Sequence, residues 1–427
     1  MLTVLQANGG LEIHVPQPFT LERPAVSYTH QALSVNIRDH PLAATLPRAT
    51  DAPSIQSGPE AFRFFAARAD APETLEDFLS QDIPQLSLHI TSFNDATLMA
   101  LSWPHTLMDV MGQQALLHGW SLVMAGREAE VPPLLGARQD AMCEAVDTPA
   151  EKEGKEEESR VWQRRMGGWG MLVFGLRFAW DLLWNRVETR TVFLPKAAMA
   201  QLRDRARGSL PAPESGGEEP FISEGDVLTA WTLRAVASSL PQPRPVMVLH
   251  AVNARFRLAS LIRAPGLFVQ NMAVAAFTCL PAAAATGSMG HIALENRRQL
   301  KEQATEGQIL AMARQLRREA GAGRDQAFLC GEPSALLMPF TNWARADLFR
   351  TADFSPAVIR AGDTAESRRN PPGTVEFQHA QSMRPSQAVR NVIVVIGNDH
   401  GDNCWLTGIL TPRVWAKIEE DMGGIST

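Results

Sequence analysis

The alternation of apolar and polar residues is clearest in the first quarter of the chain. Residues 86–93 alternate, an Asn-Asp pair supplies a turn, and residues 97–103 run back, which predicts a β-hairpin. The period then changes to that of a helix, and Gly126 stands where such a helix ends. The apolar stripe of this helix comprises Met108, Met111, Ala115, Leu116, Trp120 and Val123. The pattern therefore predicts a strand that leads, after a short connection, into an amphipathic helix.

The second half of the chain predicts helices and strands in mixed order. Ser223 and Asp226 have the spacing of a capping box, which predicts a helix that ends before Pro241. The other predicted strands cover residues 246–252, 266–278, 336–343, 391–398 and 404–410, and the other predicted helices cover residues 291–320 and 413–422. Such a mixture predicts an α/β fold with mixed, α+β-type sheets.

One segment is much richer in apolar residues than the rest of the chain. In residues 166–184, Arg177 and Asp181 interrupt the apolar run before it reaches the roughly 18 uncharged residues of a membrane span. The apolar residues of this segment would lie on all sides of a helix and not along one stripe. We therefore expect a core or interdomain helix and not a helix that lies on a membrane surface.

The length of 427 residues exceeds what one hydrophobic core usually serves, so we expect two domains with a cleft between them. The Pro- and Gly-rich stretch 208–220 predicts the linker, which leaves an N-terminal domain of residues 1–207 and a C-terminal domain of residues 221–427. The composition, 45% hydrophobic and 20% charged, is that of a globular protein. A net charge of −6 argues against a nucleic-acid partner, which would need a basic face.

The cysteines and the N-terminus predict a reducing, cytoplasmic compartment. The four cysteines are far apart and form no C-x-x-C pair, so neither a zinc site nor a disulfide framework is expected. They are Cys143, Cys279, Cys330 and Cys404. The first residues lack the basic and apolar regions of a signal peptide. We expect a monomer without a metal ion and without a membrane span.

The candidate chemistry begins at His105, directly after the predicted hairpin, and Asp109 follows four residues later. An alcohol with a pKa of about 16 is a poor nucleophile, and an imidazole with a pKa of ~6.5 can remove its proton as attack on a thioester begins. One histidine suffices for such an acyl transfer, and no acyl-enzyme is required. The spacing alone is weak evidence, because roughly one His in twenty has an Asp four residues later by chance. A histidine packed in the core is the plain alternative.

Other polar residues stand where strands are predicted. Arg255 and Arg257 follow the strand over 246–252, and two cations at a strand end require partners. Gln270 and Asn271 interrupt the next apolar run, which a strand core tolerates only if their amides are hydrogen-bonded. Both groups are therefore candidates for a polar site.

These motifs together resemble the BAHD family of CoA-dependent acyltransferases, in the family's order and over most of the chain. The matching segments are residues 105–112, 223–231, 253–257, 267–271, 341–343 and 353–354. In the last of them, Asp353 and Phe354 stand for the start of a D-F-G-W-G motif whose Gly, Trp and Gly are absent. Pro356 fixes φ where a glycine would be free, so the turn must be built differently. This looser form resembles members from microbial and fungal secondary metabolism more than plant members.

The resemblance implies a two-domain fold with the active site in a channel at the domain interface. It also implies an acyl-CoA donor, most commonly acetyl-CoA, and a small-molecule alcohol acceptor. His105 is then the general base, and Asn271 makes a hydrogen bond that fixes the tautomer of its ring. The indole N–H of Trp343, with Thr341 beside it, is the candidate donor to the oxyanion of the tetrahedral intermediate.

The same resemblance implies that Asp109 turns away from the base and pairs with Arg255. A buried carboxylate needs a charge partner, so this pair has an architectural role. The remaining implied site residues are Asp353 as a structural residue, Gly112, Thr341 and Phe354 near the substrate, and Arg257 and Arg263 as candidates for the CoA phosphates. The segment of about 353–380 is expected to pack with the N-terminal domain. No Gly-rich phosphate loop is present, which argues against kinases and dehydrogenases.

Two other interpretations stay open. A condensation-type acyltransferase of peptide assembly lines shares the H-x-x-x-D-x-x-G frame and takes its acyl group from a carrier protein, but it carries a second His where this chain has Pro104. A non-catalytic binding relative would explain the eroded motif at Asp353. A serine hydrolase is disfavoured because no G-x-S-x-G elbow occurs. The sequence names neither the acceptor nor the acyl chain, and O- and N-acylation both stay open.

Overall fold

A computed structural model describes residues 2–5, 10–67, 70–147, 157–212, 220–324, 326–360 and 370–425. Within these ranges the strands are β1 (Leu2–Leu5), β2 (Leu11–His14), β3 (Val26–Ala32), β4 (Ser54–Ser57), β5 (Leu86–Ser92), β6 (Thr97–Ser102), β7 (Glu188–Leu194), β8 (Val246–Asn253), β9 (Ala273–Leu280), β10 (Leu336–Asn342), β11 (Val392–Asn398) and β12 (Cys404–Leu410). The helices are α1 (Arg63–Ala66), α2 (Leu75–Ser80), α3 (Val110–Met124), α4 (Ala141–Asp147), α5 (Arg160–Gln163), α6 (Gly168–Trp184), α7 (Lys196–Gly208), α8 (Glu224–Ser238), α9 (Ala259–Ile262), α10 (Ala282–Ala285), α11 (Met289–Gln303), α12 (Glu306–Gly321), α13 (Leu348–Thr351) and α14 (Pro412–Gly423).

Two sheets organise the molecule. The larger sheet has the order β4-β7-β12-β11-β10-β8-β9, with β10 parallel to both β8 and β11 and antiparallel pairing elsewhere. The smaller sheet has the order β3-β5-β6, in which β3 and β5 are parallel and β5 and β6 form the predicted hairpin. A further pair, β1 and β2, is antiparallel. The predicted α/β fold with mixed sheets is confirmed.

The two faces of the larger sheet have different environments because successive side chains of a strand point to opposite sides. In β11, Ile393 and Val395 are buried under the helices on one face, among them α8, whereas Val394 points to the other face and lines a cleft. In β12, Leu406 lies in the same core and Thr407 lines the cleft. The larger sheet therefore separates a helix-covered core from a wall of the cleft.

The domain boundary predicted at 208–220 falls partly on residues 213–219, which lie outside the described residues. β7 precedes that boundary in the chain, yet it pairs with β12 along its whole length. α7 also precedes it and packs on α8 and α11. The elements from 188 to 208 therefore share their sheet and core with the second half of the chain, and the boundary stays a prediction.

Two predicted elements differ from the structure. The strand predicted over 266–278 begins only at Ala273, because the carbonyl groups of Phe268 and Gln270 turn toward a buried arginine instead of a neighbouring strand. The single helix predicted over 291–320 is two helices, α11 and α12, and the side chain of Thr305 caps the start of the second. Both differences come from side chains that redirect the backbone.

The apolar segment 166–184 forms a surface helix, so the prediction of a core or interdomain helix is wrong. α6 packs against the protein on one side only, through residues such as Phe174 and Phe178, and none of its residues is buried. Within the part of the chain that the structure describes, no helix is long and apolar enough to cross a membrane.

The buried imidazole of His250, in β8, should make stability depend on pH. Burial lowers the pKa of His250 from 6.5 to about 4. The unfolded state therefore binds more protons between these values, and the free energy of unfolding falls as the pH drops from about 6.5 toward about 4. We expect urea denaturation to give a free energy of unfolding lower by ~2 kcal/mol at pH 5 than at pH 7 from this residue.

The variant His250→Gln isolates this contribution, because glutamine keeps hydrogen-bonding groups and does not titrate. Its free energy of unfolding should fall less steeply below pH 6.5 than that of the wild type. The exposed His14, changed to Gln, serves as the control and should leave the slope unchanged. Equal slopes for the wild type and His250→Gln would contradict the assignment.

Candidate active site

A cleft of about 2710 Å³ runs between the two sheets. On one side its wall comes from the smaller sheet, including Leu88, Ile90 and Leu101. On the other side it comes from the larger sheet, including Val394 and Thr407. The cleft is the concave space in which a small ligand would bind between two lobes.

His105 lies on the wall of this cleft, at the crest of the turn between β6 and α3. Two bonds build the turn: the N–H of Leu107 donates to the carbonyl of Pro104 at 2.9 Å, and the indole N–H of Trp103 donates to the carbonyl of Met108 at 3.0 Å. The side chain of His105 is exposed, and its ring makes no hydrogen bond to the described residues. Both ring nitrogens are therefore available to a ligand.

Asn271 also lines the cleft, but it contacts the main chain of His105 and not its ring. Its Nδ2 donates to the backbone oxygen of His105 at 2.6 Å. The predicted tautomer-fixing bond is wrong for this structure, because the turn directs the carbonyl, and not the imidazole, toward the amide. Asn271 thus fixes the backbone that carries the histidine.

Asp109 and Arg255 form a buried ion pair next to the turn that carries His105. Asp109 caps α3, with Oδ1 accepting from the N–H groups of Met111 and Gly112 at 3.0 Å each. Its Oδ2 accepts from Nη1 of Arg255 at 2.8 Å and from the N–H of Met272 at 3.0 Å. The Asp109 and Arg255 side chains are only 13% and 9% exposed, so each charge depends on the other.

Arg255 connects the histidine turn, through Asp109, to residues 268–271 in the second half of the chain. Its Nε donates to the carbonyl of Phe268 at 3.2 Å, and its Nη2 donates to the carbonyl of Gln270. The same residues 268–271 bring Asn271 to His105. One ion pair therefore sets the relative positions of the histidine turn and of the segment that precedes β9.

Gly112 does not line the cleft, and its position is explained by packing. A Cβ at Gly112 would lie 1.9 Å from the carbonyl oxygen of Val269, so α3 approaches residues 268–271 more closely than any side chain allows. A Cβ at Gly119, in the same helix, would meet only Cγ1 of Val131, at 3.5 Å, which is an ordinary van der Waals distance. α3 can therefore contact this segment only with glycine at position 112.

Gly112→Ala should displace α3 and the histidine turn, and we expect a loss of roughly 1–3 kcal/mol in the free energy of unfolding from overpacking. Chemical denaturation measures the change. Gly119→Ala is the matched control and should be neutral or stabilising by up to about 1 kcal/mol, because alanine favours the helix. Similar stabilities for the two variants would show that the close approach is not required.

Trp343 follows β10 and lines the cleft, but its indole N–H is already engaged. Nε1 donates to Oγ1 of Thr341 at 3.2 Å, and Thr341 itself is not part of the cleft wall. The ring packs beside a buried aromatic cluster that includes Phe349 and Trp405. Thr341 therefore orients the indole of Trp343, and an oxyanion would have to take over its hydrogen bond.

The eroded motif at Asp353 packs against α3. The N–H of Asp353 donates to Oγ of Ser121 at 2.9 Å, and its Oδ1 accepts from the N–H of Ser355 at 2.9 Å. The ring of Phe354 lines the cleft and meets Trp120 edge-on at 5.3 Å between ring centres. These residues belong to the predicted segment 353–380, of which 361–369 lie outside the described residues.

The two arginines predicted for phosphate binding, Arg257 and Arg263, are exposed and lie outside the cleft wall. Sequence reasoning missed a third, Arg345, which stands two residues after Trp343. Its guanidinium lies 3.5 Å over the ring centre of Phe256. Burial, together with the charge of Arg257 nearby, lowers the pKa of Arg345. Arg257 and Arg345 therefore form one cationic pair, which lies outside the residues that line the cleft.

Known structures share this architecture. TRI101 of F. graminearum, complexed with coenzyme A and T-2 mycotoxin, superimposes with a TM-score of 0.63 at 14% identity over 94% of this chain and 81% of that one. Vinorine synthase superimposes with a TM-score of 0.53 at 14% identity over 93% of this chain and 76% of that one. Both are BAHD acyltransferases, and at this identity they establish the fold.

Sequence comparison decides the family. The chain matches no family model. It is 34% identical over 428 residues to the O-acetyltransferase PaAT-2 of Phomopsis amygdali, covering 97% of this chain and 86% of that protein. The chain belongs to the BAHD acyltransferases. The resemblance carried by the motifs, including its closeness to fungal members, is thereby confirmed.

This BAHD acyltransferase has further histidines on the cleft wall that sequence reasoning did not single out. Burial lowers the pKa of His379 to about 4, so its ring is neutral at pH 7 and a weak base. Nε2 of His400 lies 3.1 Å from the carbonyl oxygen of Phe349. Because a carbonyl oxygen only accepts hydrogen bonds, this nitrogen must carry the proton that is donated. No sequence signal marks either residue, because both reach the cleft through tertiary packing.

The cysteines of the BAHD chain are unsuited to a covalent intermediate. All four are free and none lies on the cleft wall. Burial raises the pKa of Cys330 and of Cys404 to about 12, and it also raises the pKa values of Cys143 and Cys279, so the thiols stay protonated. Over the described ranges, no group of His, Cys, Asp and Glu side chains could hold a metal ion.

Proposed function

We propose that this protein transfers an acetyl group from acetyl-CoA to a hydroxyl group of a small-molecule acceptor, such as a secondary metabolite. One observation carries the proposal: the ring of His105 is exposed on the wall of the cleft between the two sheets, while its backbone is fixed by Asn271. The names of the relatives support it, since PaAT-2 is an O-acetyltransferase and TRI101 was crystallised with coenzyme A and a mycotoxin.

The proposed reaction is a direct transfer. His105 removes the proton of the acceptor hydroxyl as its oxygen attacks the thioester carbon, and a tetrahedral intermediate with a negatively charged oxygen forms. When the intermediate collapses, the C–S bond breaks, the sulfur takes the proton from the imidazolium, and ester and CoA leave. The protein ends in its starting protonation state, and no covalent enzyme intermediate is needed.

The donor would lie with its phosphates near the cationic pair Arg257 and Arg345. Arg257 lies close enough for its charge to lower the pKa of Arg345, and two neighbouring guanidinium groups form a favourable site for an anion. Phe256, under the Arg345 guanidinium, fixes the direction of that side chain. Arg263, at the end of α9, is a second candidate for the same role.

Trp343 is the proposed donor to the oxyanion. Replacing it with phenylalanine keeps an aromatic ring in the cleft and removes the N–H, so we expect kcat to fall by roughly 10²- to 10³-fold with a smaller change in KM. Steady-state kinetics with acetyl-CoA measure this. Trp120→Phe, which also alters a cleft-lining indole, is the control and should change kcat by much less. An unchanged kcat for Trp343→Phe would remove Trp343 from the mechanism.

Transfer from free acetyl-CoA tests the proposed function. The purified protein is mixed with acetyl-CoA and a panel of alcohols, and mass spectrometry follows both free CoA and acetylated product. We expect product only when donor, acceptor and protein are all present. Product formation from a carrier-protein-bound donor alone would favour the condensation-type interpretation, and CoA binding without product would favour the non-catalytic one.

A further inference from the structure

The outer face of α6 is an apolar surface that the described residues leave uncovered. It comprises Trp169, Leu172, Leu176, Trp180, Leu183 and Trp184, which we call the α6 apolar face. Each of these six side chains is more than half exposed. They follow one another at helical spacing along the whole helix, so they form one continuous stripe. A large continuous apolar face on a protein surface is typical of a site of interaction.

The polar groups of α6 are arranged so that the outer face carries almost no charge. Asp181, its only acidic residue, points inward and pairs with Arg244 at 2.9 Å. The inner face is completed by Phe174 and Phe178, whose rings stack. Arg177 is therefore the one charged residue of α6 that stands on the exposed side.

Residues 160–186 carry a net positive charge, although Glu157 and Glu158 just before them are acidic and the chain as a whole is acidic. Between residues 160 and 186 there are five arginines against the single, paired Asp181. The arginines are Arg160, Arg164, Arg165, Arg177 and Arg186. Tryptophans stand at both ends of the helix, where amphipathic rings favour the level of lipid headgroups. Apolar residues on one face with arginines around them are typical of helices that lie in the surface of an anionic membrane.

We propose that α6 docks the protein onto an anionic lipid surface, with the helix axis parallel to the membrane and the α6 apolar face inserted among the acyl chains. Arg177, midway along the helix and at the edge of the apolar face, can extend its charged head to the phosphate level while its stem stays among apolar groups. Arg164 and Arg165 precede the helix and Arg186 follows it, so both ends meet anionic headgroups.

A second copy of the chain fits this face less well than a membrane does. In a two-fold pairing centred on α6, the middle of the helix meets its own copy, because such an interface is self-complementary. Arg177 would then face another Arg177, with no acidic side chain on the exposed side of α6 to compensate. A lipid surface places no cation there.

The docked helix would bring one mouth of the cleft to the membrane. The guanidinium of Arg390 donates to the carbonyl of Asn185, directly after α6, and the N–H of Val187 donates to Oε1 of Gln387 at 3.0 Å. Val187 and Val389 line the cleft beside this junction. An apolar acceptor could then enter from the bilayer, a consequence that rests on the proposed function, whereas docking does not.

Flotation with lipid vesicles tests the docking without any turnover. The full-length protein is mixed with vesicles of phosphatidylcholine alone or with phosphatidylserine added. The wild type should float with the phosphatidylserine vesicles, and binding should weaken in high salt. The double variant Leu176→Glu/Trp180→Glu should lower the bound fraction at least about tenfold, because two inserted side chains are replaced by charges.

Controls separate docking from misfolding and from self-association. Leu21→Glu changes an apolar residue outside α6 that is 96% exposed, and it should leave vesicle binding unchanged. Thermal melting checks that the double variant folds, and its acyltransfer in detergent-free solution should match the wild type. The proposal is overturned if the wild type does not bind phosphatidylserine vesicles, if the folded double variant binds as well as the wild type, or if light scattering shows a dimer that the double variant disperses while vesicle binding is absent.

Discussion

Replacing His105 with alanine should lower kcat by about 10²- to 10⁴-fold and leave the free energy of unfolding almost unchanged, because a positioned general base contributes a factor of this size. The side chain is exposed and makes no hydrogen bond to the described residues, so its removal costs little packing. Steady-state kinetics with acetyl-CoA and chemical denaturation measure the two quantities separately.

His30→Ala is the matched control for this variant. His30 is also an exposed histidine on the cleft wall, but its Nε2 lies 2.9 Å from Oγ of Ser92 and it belongs to β3. We expect its loss to change kcat by less than about tenfold. Comparable losses for the two variants would mean that the cleft needs polar walls and not a base at position 105.

Asp109→Ala should have the largest effect on stability, a loss of about 3–5 kcal/mol in the free energy of unfolding. The change leaves the guanidinium of Arg255 buried without its charge partner, and it removes the cap on Met111 and Gly112 at the start of α3. Activity should fall in parallel, because the histidine turn and the segment at Asn271 lose their common anchor. Urea denaturation of the purified variant measures the stability.

Glu130→Ala gives the matching surface comparison. Glu130 makes a two-point contact with Arg127, but both side chains are more than half exposed, and such pairs contribute ~0–1 kcal/mol. If Asp109→Ala were as stable as Glu130→Ala and lost only turnover, Asp109 would have a chemical role and not an architectural one.

Local patterns in the sequence predicted much of the site. The hairpin of β5 and β6, the helix that follows, and the cap at Ser223 depend on neighbours within a few residues, and the structure confirms them. Asp109 pairs with Arg255, 146 residues away in sequence, as the family resemblance implied. That pairing could not be derived from local spacing, because a buried charge requires a partner without specifying which one.

The failures have a common physical origin in tertiary contacts. Residues 266–272 look like a strand because most of them are apolar, but Arg255 binds the carbonyl groups of Phe268 and Gln270, so the strand begins only after them. α6 looks like a core helix for the same reason, and only its packing shows that most of its apolar residues face outward. His379 reaches the cleft wall from an irregular segment that precedes β11, far from His105 in the sequence. The spacing of apolar residues predicts a helix or a strand, but it does not show which side of that element packs against the rest of the protein.

In the proposed mechanism, one imidazole, that of His105, reaches both the thioester and the acceptor hydroxyl. A crystal structure of the protein with coenzyme A and an acceptor measures this most directly. We expect the CoA sulfur and the acceptor oxygen to meet in the cleft, with the oxygen about 2.6–3.2 Å from a ring nitrogen of His105. A complex in which the two ligands meet elsewhere, or in which the ring of His105 is walled off from both, would contradict the account.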